Sequence, residues 1–568
     1  MRTWQTESAT WRHGPWSIER RGGELADLAY DGRRVLRSVR AVARDRDWNT
    51  PTWQVEVLDD TDALRLGLRC DGAPLQGTLT AHVSGGALAI ELDLEATRTF
   101  PTNRTGLVAL HPPQLAGTAL RARHPDGTAE DTAFPARISP RQPVLDIAAL
   151  AWEHDGLAVG LAFGGDVFEM EDQRNWTDAS YQTHSRPLTL PFPYELAAGA
   201  HVRQTITVTV TEHGPAAEPE PEPRIALVPG GLFPEIALGA STAPSTEFDP
   251  APDLPLLGGT VLVELDLRTP NWPAALERAA TAGLPLDVRV TVPWSGSDLA
   301  ILTDFLAPHA IARIGAFDPD THTTNAAVFD ALRAALTHAG IHVPLVGGSR
   351  SHFTELNRNL AAVPDDVEVL AFSVTPLLHD TGTEQLLESV PVQRLVARQA
   401  VADAGGRMVL IGPVTLRPRF NDAAGAQLMS TRPDLADGYG AEFTGAADPR
   451  QGDDPLAAWT IAAAAALAVP GVAGLSWFEE WGPRGIRSAA GDPYPVAAVL
   501  ETLDEMSAGE LLWAETPDPH IWALGSRTAG RTRIAVANLD RRPRAFTIAF
   551  GDEQLRLFLG PLGWAVVD

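Results

Sequence analysis

Five short polar runs bring together side chains able to do acid–base chemistry or to hold an oxyanion. Phe168-Glu169-Met170-Glu171-Asp172-Gln173-Arg174-Asn175-Trp176-Thr177-Asp178-Ala179-Ser180-Tyr181 sets Glu171, Arg174 and Asp178 among aromatic rings. Gly347-Gly348-Ser349-Arg350-Ser351-His352-Phe353-Thr354-Glu355-Leu356-Asn357-Arg358 offers Glu355 and Asn357 on a Gly-rich turn. Thr375-Pro376-Leu377-Leu378-His379-Asp380 ends in a His-Asp pair, and Thr415-Leu416-Arg417-Pro418-Arg419-Phe420-Asn421 adds two guanidinium groups and an amide. Trp477-Phe478-Glu479-Glu480-Trp481-Gly482 places two carboxylates between rings. Carboxyl groups beside aromatic residues suit an acid and a base whose environments push their pKa values apart, with the rings stacking on a sugar. A histidine moves protons near neutral pH, and an arginine fork grips developing negative charge.

The expected catalytic residues are therefore Glu355, Glu479 and Glu480, at most one of the last two facing inward, with His379 and Asp380. Expected substrate contacts are Arg417, Arg419, Asn421, Asn357, Trp477, Glu171, Arg174 and Asp178. Each has an ordinary alternative. A glutamate at a loop start caps a helix, His379 serves as a structural hydrogen-bonding group, and Arg417 and Arg419 flank a proline as surface charges. The 168–181 run is an exposed loop unless it is an arm reaching over a ligand site.

The elements that must position these runs follow from periodicity. Trp53–Val57, Leu64–Leu68, Leu88–Leu94 and Thr205–Val210 alternate apolar and polar residues, as half-buried strands do, and predict a β-sandwich over 1–212. Gly214-Pro215-Ala216-Ala217-Glu218-Pro219-Glu220-Pro221-Glu222-Pro223 marks a stiff linker over 213–223. Short continuous apolar runs then alternate with Ala- and Leu-rich helical stretches, the pattern of a parallel sheet buried on both faces. Eight such runs, Ile225–Val228, Val261–Leu267, Val288–Val292, Ile311–Phe317, Pro344–Val346, Val367–Val374, Met408–Val414 and Val472–Phe478, predict a TIM barrel over 224–508. Alternation in Ile521–Leu524, Thr532–Asn538, Ala545–Phe550 and Leu555–Leu559 predicts a small β domain over 509–568. The fold class is thus a central (β/α)8 barrel between two β domains, and four of the polar runs fall at the C-terminal ends of barrel strands, where active sites of this fold are built.

Composition removes other chemistries. The 568 residues include no lysine, so no Schiff-base enzyme and no P-loop NTPase is possible. One cysteine, Cys70, allows neither an intrachain disulfide nor a Cys-rich zinc site. A formal charge of -27 argues against nucleic acid, and no apolar stretch is long enough for a membrane span. The start, Met1-Arg2-Thr3-Trp4-Gln5, lacks the apolar core of a signal peptide, so a cytoplasmic location is expected and the Asn103-Arg104-Thr105 and Asn175-Trp176-Thr177 sequons read as accidents. There is no HExxH, GxSxG or GxGxxG; the nearest serine motif is Gly239-Ala240-Ser241-Thr242-Ala243. No metal and no cofactor are expected.

Four segments, Phe168–Ser180, Phe353–Arg358, Gly412–Asn421 and Trp477–Glu480, together resemble the D-apionate lactonase family, in the order N-terminal β domain, TIM barrel, C-terminal β domain across nearly the whole chain. The resemblance implies hydrolysis of D-apionolactone to D-apionate, a step in bacterial use of the branched sugar apiose, with a small sugar lactone as the partner. One carboxylate would then activate water, Arg417 or Arg419 with His379 would hold the oxyanion, and a second acid would protonate the departing alkoxide. The rival is a glycoside hydrolase using two glutamates of the barrel mouth. On such barrels the retaining pair usually follows the fourth and seventh strands. Here the count gives the fifth and eighth, a uniform shift that an error in the first strand would explain. A catalytically inert carbohydrate-binding protein, stacking sugar on Trp176, Trp477 and Trp481, is the third reading.

Overall fold

In the computed structural model, which describes residues 2–215, 222–245, 257–292, 297–424, 427–445, 447–515 and 518–568, three β assemblies are stacked along the chain. Of the linker read over 213–223, residues 216–221 lie outside the described residues.

The N-terminal part is a sandwich of two nine-stranded antiparallel sheets. Its alternation is plain in Ala63–Asp71, where Leu64, Leu66 and Leu68 are buried and Arg65 and Arg69 are exposed. These leucines meet Ile18, Leu25, Leu36 and Val39 of the other sheet in one apolar core, so the period of two becomes the sandwich's inside and outside. The first sheet contains Arg33–Asp45 and Phe100–His111 as neighbours, followed by Tyr181–His184 and Phe168–Glu171.

Eight parallel strands close the barrel: β1 (Glu235–Gly239), β2 (Thr260–Asp266), β3 (Leu286–Thr291), β4 (Ile311–Phe317), β5 (Leu345–His352), β6 (Val369–Val374), β7 (Met408–Val414) and β8 (Val472–Glu479). β1 pairs with both β2 and β8, which seals the ring. The expected first strand is corrected here. Ile225–Val228 lies in Arg224–Leu232, which pairs parallel with Arg544–Phe550 and antiparallel with Glu510–Ala514 in the seven-stranded C-terminal sheet. Its burial alternates, Ile225 and Leu227 inward and Ala226 and Val228 outward, as suits a one-sided sheet and not a barrel stave. The strand count stays at eight, so Glu355 and Glu479 still follow β5 and β8, and the shift from the glycosidase arrangement is not removed.

One helix joins barrel to C-terminal sheet. Pro455–Leu467 (PLAAWTIAAAAAL) is apolar all round and buried from Leu456 to Leu467, the signature of a helix covered on every side. Its alanines share a core with Val409, Ile411 and Leu475 of the barrel and with Trp522, Leu524, Ala535 and Ala537 of the sheet. Small side chains let both layers approach closely. Among the described residues, no helix is long and apolar enough to cross a membrane.

Candidate active site

A cavity of about 1090 Å³ lies between the C-terminal mouth of the barrel and the outer face of the first sandwich sheet. The barrel contributes Glu355 and Arg358 from the helix Phe353–Asn359 after β5, His379 and Asp380 from the loop after β6, and Arg417, Asn421 and Asp422 from the loop after β7. The sheet contributes Arg40, Arg44, Arg104, Glu171, Trp176 and His184. Gly348 makes the approach to this site possible. With φ of 118° and the Ala371 carbonyl oxygen where a Cβ would sit, it tolerates no side chain, and it bends β5 so that Ser349–His352 run toward the mouth.

His379 is held by the sandwich. Its Nδ1 lies 2.7 Å from Oδ2 of buried Asp178, whose Oδ1 accepts from Gln385 Nε2 at 2.6 Å. A carboxylate on Nδ1 selects the tautomer that leaves Nε2 as the proton acceptor. Trp176 packs edge-on against the imidazole at 5.3 Å, and the Arg358 guanidinium covers the same indole at 4.9 Å. Glu355, one helical turn before Arg358, completes this cluster. Its Oε2 is buried with no hydrogen-bond partner. Burial, reinforced by the negative charge of Asp422, lifts the Glu355 carboxyl well above the ordinary range, and Arg358 offsets only part of this. Asp422 itself accepts from Ser351 Oγ at 2.6 Å and faces His352 Nε2 at 3.9 Å. Burial and the Arg419 charge, against Asp422, bring His352 down to about 4, so it is neutral.

The opposite wall is cationic. Arg104 bonds Glu169 at 3.0 Å and His184 Nε2 at 2.8 Å, and lies 3.9 Å from Glu171. Burial and Arg104 lower His184 to about 4, leaving it a neutral acceptor. Against the penalty of burial, the Arg104 and Arg358 charges keep Glu171 ionised below the usual carboxylate range. Arg40 is paired with Asp380. The 168–181 run is therefore not an exposed loop. It is a buried strand, a short turn Gln173–Trp176 and the start of a second strand, and it reaches the barrel mouth, where Glu171 and Trp176 line the large cavity and Asp178 meets His379.

A second cavity of about 350 Å³ opens beside the first and shares Asn49, Phe420, Asn421 and Thr444 with it. Here Arg419 makes a two-pronged pair with Glu264 at 2.6 and 2.9 Å, and Arg350 lies over Phe420 at 4.3 Å. Burial opposes ionisation of Glu264, yet Arg419 and Arg350 hold its pKa low.

Not every expected residue reaches these cavities. Glu479 accepts from Thr242 N at 3.0 Å, Thr242 Oγ1 at 2.7 Å and Arg484 Nε at 2.9 Å, and it lines neither cavity; nor does Glu480. Trp477 is wholly inside the core and Asn357 bonds Ile138 O and Asn175. Arg174 is fully buried on Asp172 and on the Tyr181 ring, because it braces the turn that carries Trp176 and Asp178. Arg417 lines the large cavity while its Nε donates to Asp448 at 2.8 Å, and Asn421 donates to Asp47 O at 2.9 Å. Among the described residues, no group of three or more His, Cys, Asp or Glu side chains is arranged to hold a metal ion.

Family models for the D-apionate lactonase N-terminal domain and TIM barrel domain match residues 1–213 and 258–508. A Brucella anthropi protein named D-apionate lactonase is 30% identical, over 94% of this chain and 93% of its own length. The chain belongs to the D-apionate lactonase family. Two solved structures are similar to this lactonase-family chain at low identity. A GH30 endoxylanase from Clostridium papyrosolvens is 10% identical with a TM-score of 0.40, covering 61% of this chain and 99% of that one. A beta-arabinopyranosidase is 11% identical with a TM-score of 0.31, covering 99% and 96%. The features of this candidate site that sequence reasoning missed are Arg40, Arg44, Arg104, His184 and the pairing of Asp178 with His379. A signal was available for the first two, since the strand Arg33–Asp45 carries five arginines in thirteen residues. Arg104 sits inside a sequon that reads as accidental.

Proposed function

We propose that this protein is a hydrolase that opens a sugar lactone, D-apionolactone to D-apionate, in the cavity between sandwich and barrel. The observation that carries the reading is the Asp178–His379 pair facing the same cavity as Glu355, whose buried Oε2 has no hydrogen-bond partner and whose pKa is raised. His379 Nε2 takes a proton from water as the water oxygen bonds to the lactone carbonyl carbon. The carbonyl pair moves onto oxygen, and the guanidinium-rich wall offers positive potential to it. When the pair returns, the ring C–O bond breaks and the alkoxide takes the proton of Glu355. The product acid ionises, and the proton on His379 returns to Glu355 through solvent. Arg417, with its terminal nitrogens left over after Nε meets Asp448, is placed to bind hydroxyl groups.

A two-glutamate glycosidase needs both carboxyl groups at one cavity. Glu355 lines the large cavity and Glu479 is tied to Arg484 and Thr242 outside it, which favours the lactonase. The third reading, sugar binding without reaction, leans on Trp176, Trp477 and Trp481; Trp176 lines the large cavity, but Trp477 is buried and Trp481 lines neither cavity, and the reading leaves Glu355 and His379 without a task. The test is acid release in a pH-stat from D-apionolactone beside other sugar lactones, with nitrophenyl glycosides in parallel. Rapid proton release from D-apionolactone and no nitrophenol is the expected outcome. Nitrophenol without lactone turnover would replace this reading with the glycosidase.

A further inference from the structure

Arg44 and Arg104 are direct cross-strand partners in the antiparallel pair Arg33–Asp45 and Phe100–His111. Like charges placed directly opposite destabilise a sheet, so the arrangement needs a compensating partner. Arg104 has one in Glu169 and Glu171, Arg40 has Asp380, and Arg37 has Glu388. Arg44 has none. Among the described residues no carboxylate lies within ion-pair distance of its guanidinium, whose side-chain bond goes to the Thr50 hydroxyl. It nonetheless lines the large cavity together with Arg40 and Arg104, across from His379 and Glu355. Burial, and then the charges of Arg40 and Arg104, outweigh the more distant carboxylates of Asp178 and Glu171 and bring Arg44 down to about 10, as expected of a cation short of a close counter-ion. A concentration of positive charge of this kind in a chain of net charge -27 is local and specific.

We propose that Arg44 of the N-terminal sandwich is the anion anchor of this site, binding the carbonyl oxygen of the lactone as it becomes an oxyanion and then the carboxylate of the sugar acid. The inference rests on the lactonase reading for its ligand. On it, the sandwich supplies a residue that touches the reacting atoms in addition to the Asp178 that orients His379. It also requires the free acid to bind where the lactone binds, competing with substrate.

The test is calorimetric titration of the full-length protein with D-apionate, with inorganic phosphate and with the neutral polyol erythritol, for wild type, R44Q and R44K. Removing a charge-assisted hydrogen bond to the carboxylate should weaken D-apionate binding by about 10- to 100-fold in R44Q, with R44K recovering part of it and erythritol unaffected. The R44Q protein should melt no lower than wild type, because a repelled cation is removed; a merely structural arginine would lower it. Phosphate binding tenfold weaker than D-apionate assigns the site to the sugar acid, and equal or tighter phosphate binding overturns that assignment. Unchanged D-apionate affinity in R44Q, or no D-apionate binding to wild type, overturns the anchor. If D-apionate binds through Arg44 but no lactone is turned over, the lactonase reading fails and the anchor stands. If lactone is turned over equally by wild type and R44Q, with equal inhibition by D-apionate, the anchor fails and the lactonase reading stands.

Discussion

The acid and the base proposed for this site differ in how the protein treats them. Glu355 is left without a hydrogen bond at Oε2 and beside Asp422, so its proton is retained; the His379 ring is instead gripped at Nδ1 by Asp178. Because the proposed reaction needs Glu355 protonated, kcat/KM should fall as pH rises through its elevated pKa, and E355Q should lose that alkaline limb along with much of the rate. The same shift has a stability consequence. A carboxyl whose folded pKa lies above its unfolded value binds more protons in the native state, so it costs stability as pH rises from the unfolded to the folded pKa. E355Q should therefore gain in melting temperature over wild type as pH is raised across that window; a gain that does not grow with pH contradicts the burial argument. D178N should lower kcat by about 100-fold or more with little change in KM, because the imidazole loses its tautomer and not its place. Sequence alone could not rank Glu355 above Glu479. Glu355 follows β5 and Glu479 ends β8, and what separates them is Thr242, brought to Glu479 by the closing of β8 on β1, and Arg484 of the loop after β8.

At the scale of elements, most strands and helices were legible because their burial repeats at the period of their backbone. Ala326–Ala339 is a helix over the residues its pattern and the following Gly340 predict. Leu286–Thr291 is buried at every position, as a barrel stave should be. Two misreadings have physical causes. Ile225–Val228 and Ile236–Leu238 are equally short and apolar, and only long-range pairing sends the first to the C-terminal sheet and the second to the barrel. The 168–184 hairpin looked too polar to bury because its counter-charges, such as Arg104 for Glu169, come from strands distant in sequence. The helix Pro455–Leu467 illustrates the opposite case, where composition announces burial. Its alanines leave no space between barrel and sheet, so A464L should overpack the interface and cost about 1–3 kcal/mol. Scanning calorimetry should show a lower melting temperature with kcat at 25 °C unchanged, and an unaltered transition would mean that the two layers are not tightly packed there.

At the scale of the whole molecule, the site belongs to no single domain. The barrel supplies Glu355 and His379, while the sandwich supplies Asp178, Trp176, Arg44 and Arg104. This is why the barrel rule, applied to sequence, points to the barrel's side of the cavity and also to residues such as Trp477 and Glu480 that line neither cavity. The -27 charge of the chain makes the guanidinium wall stand out as an anion-receptive surface, consistent with a reaction that develops an oxyanion and ends in a carboxylate. Hydrolysis of the lactone in this inter-domain cavity is tested most directly by pH-stat turnover of D-apionolactone with folded H379Q, E355Q and E480Q. The expected result is a loss of about 100-fold or more in kcat/KM for H379Q and for E355Q, and a value within about twofold of wild type for E480Q. Near wild-type turnover in H379Q and E355Q, with E480Q inactive, would contradict it and move the chemistry to the end of β8.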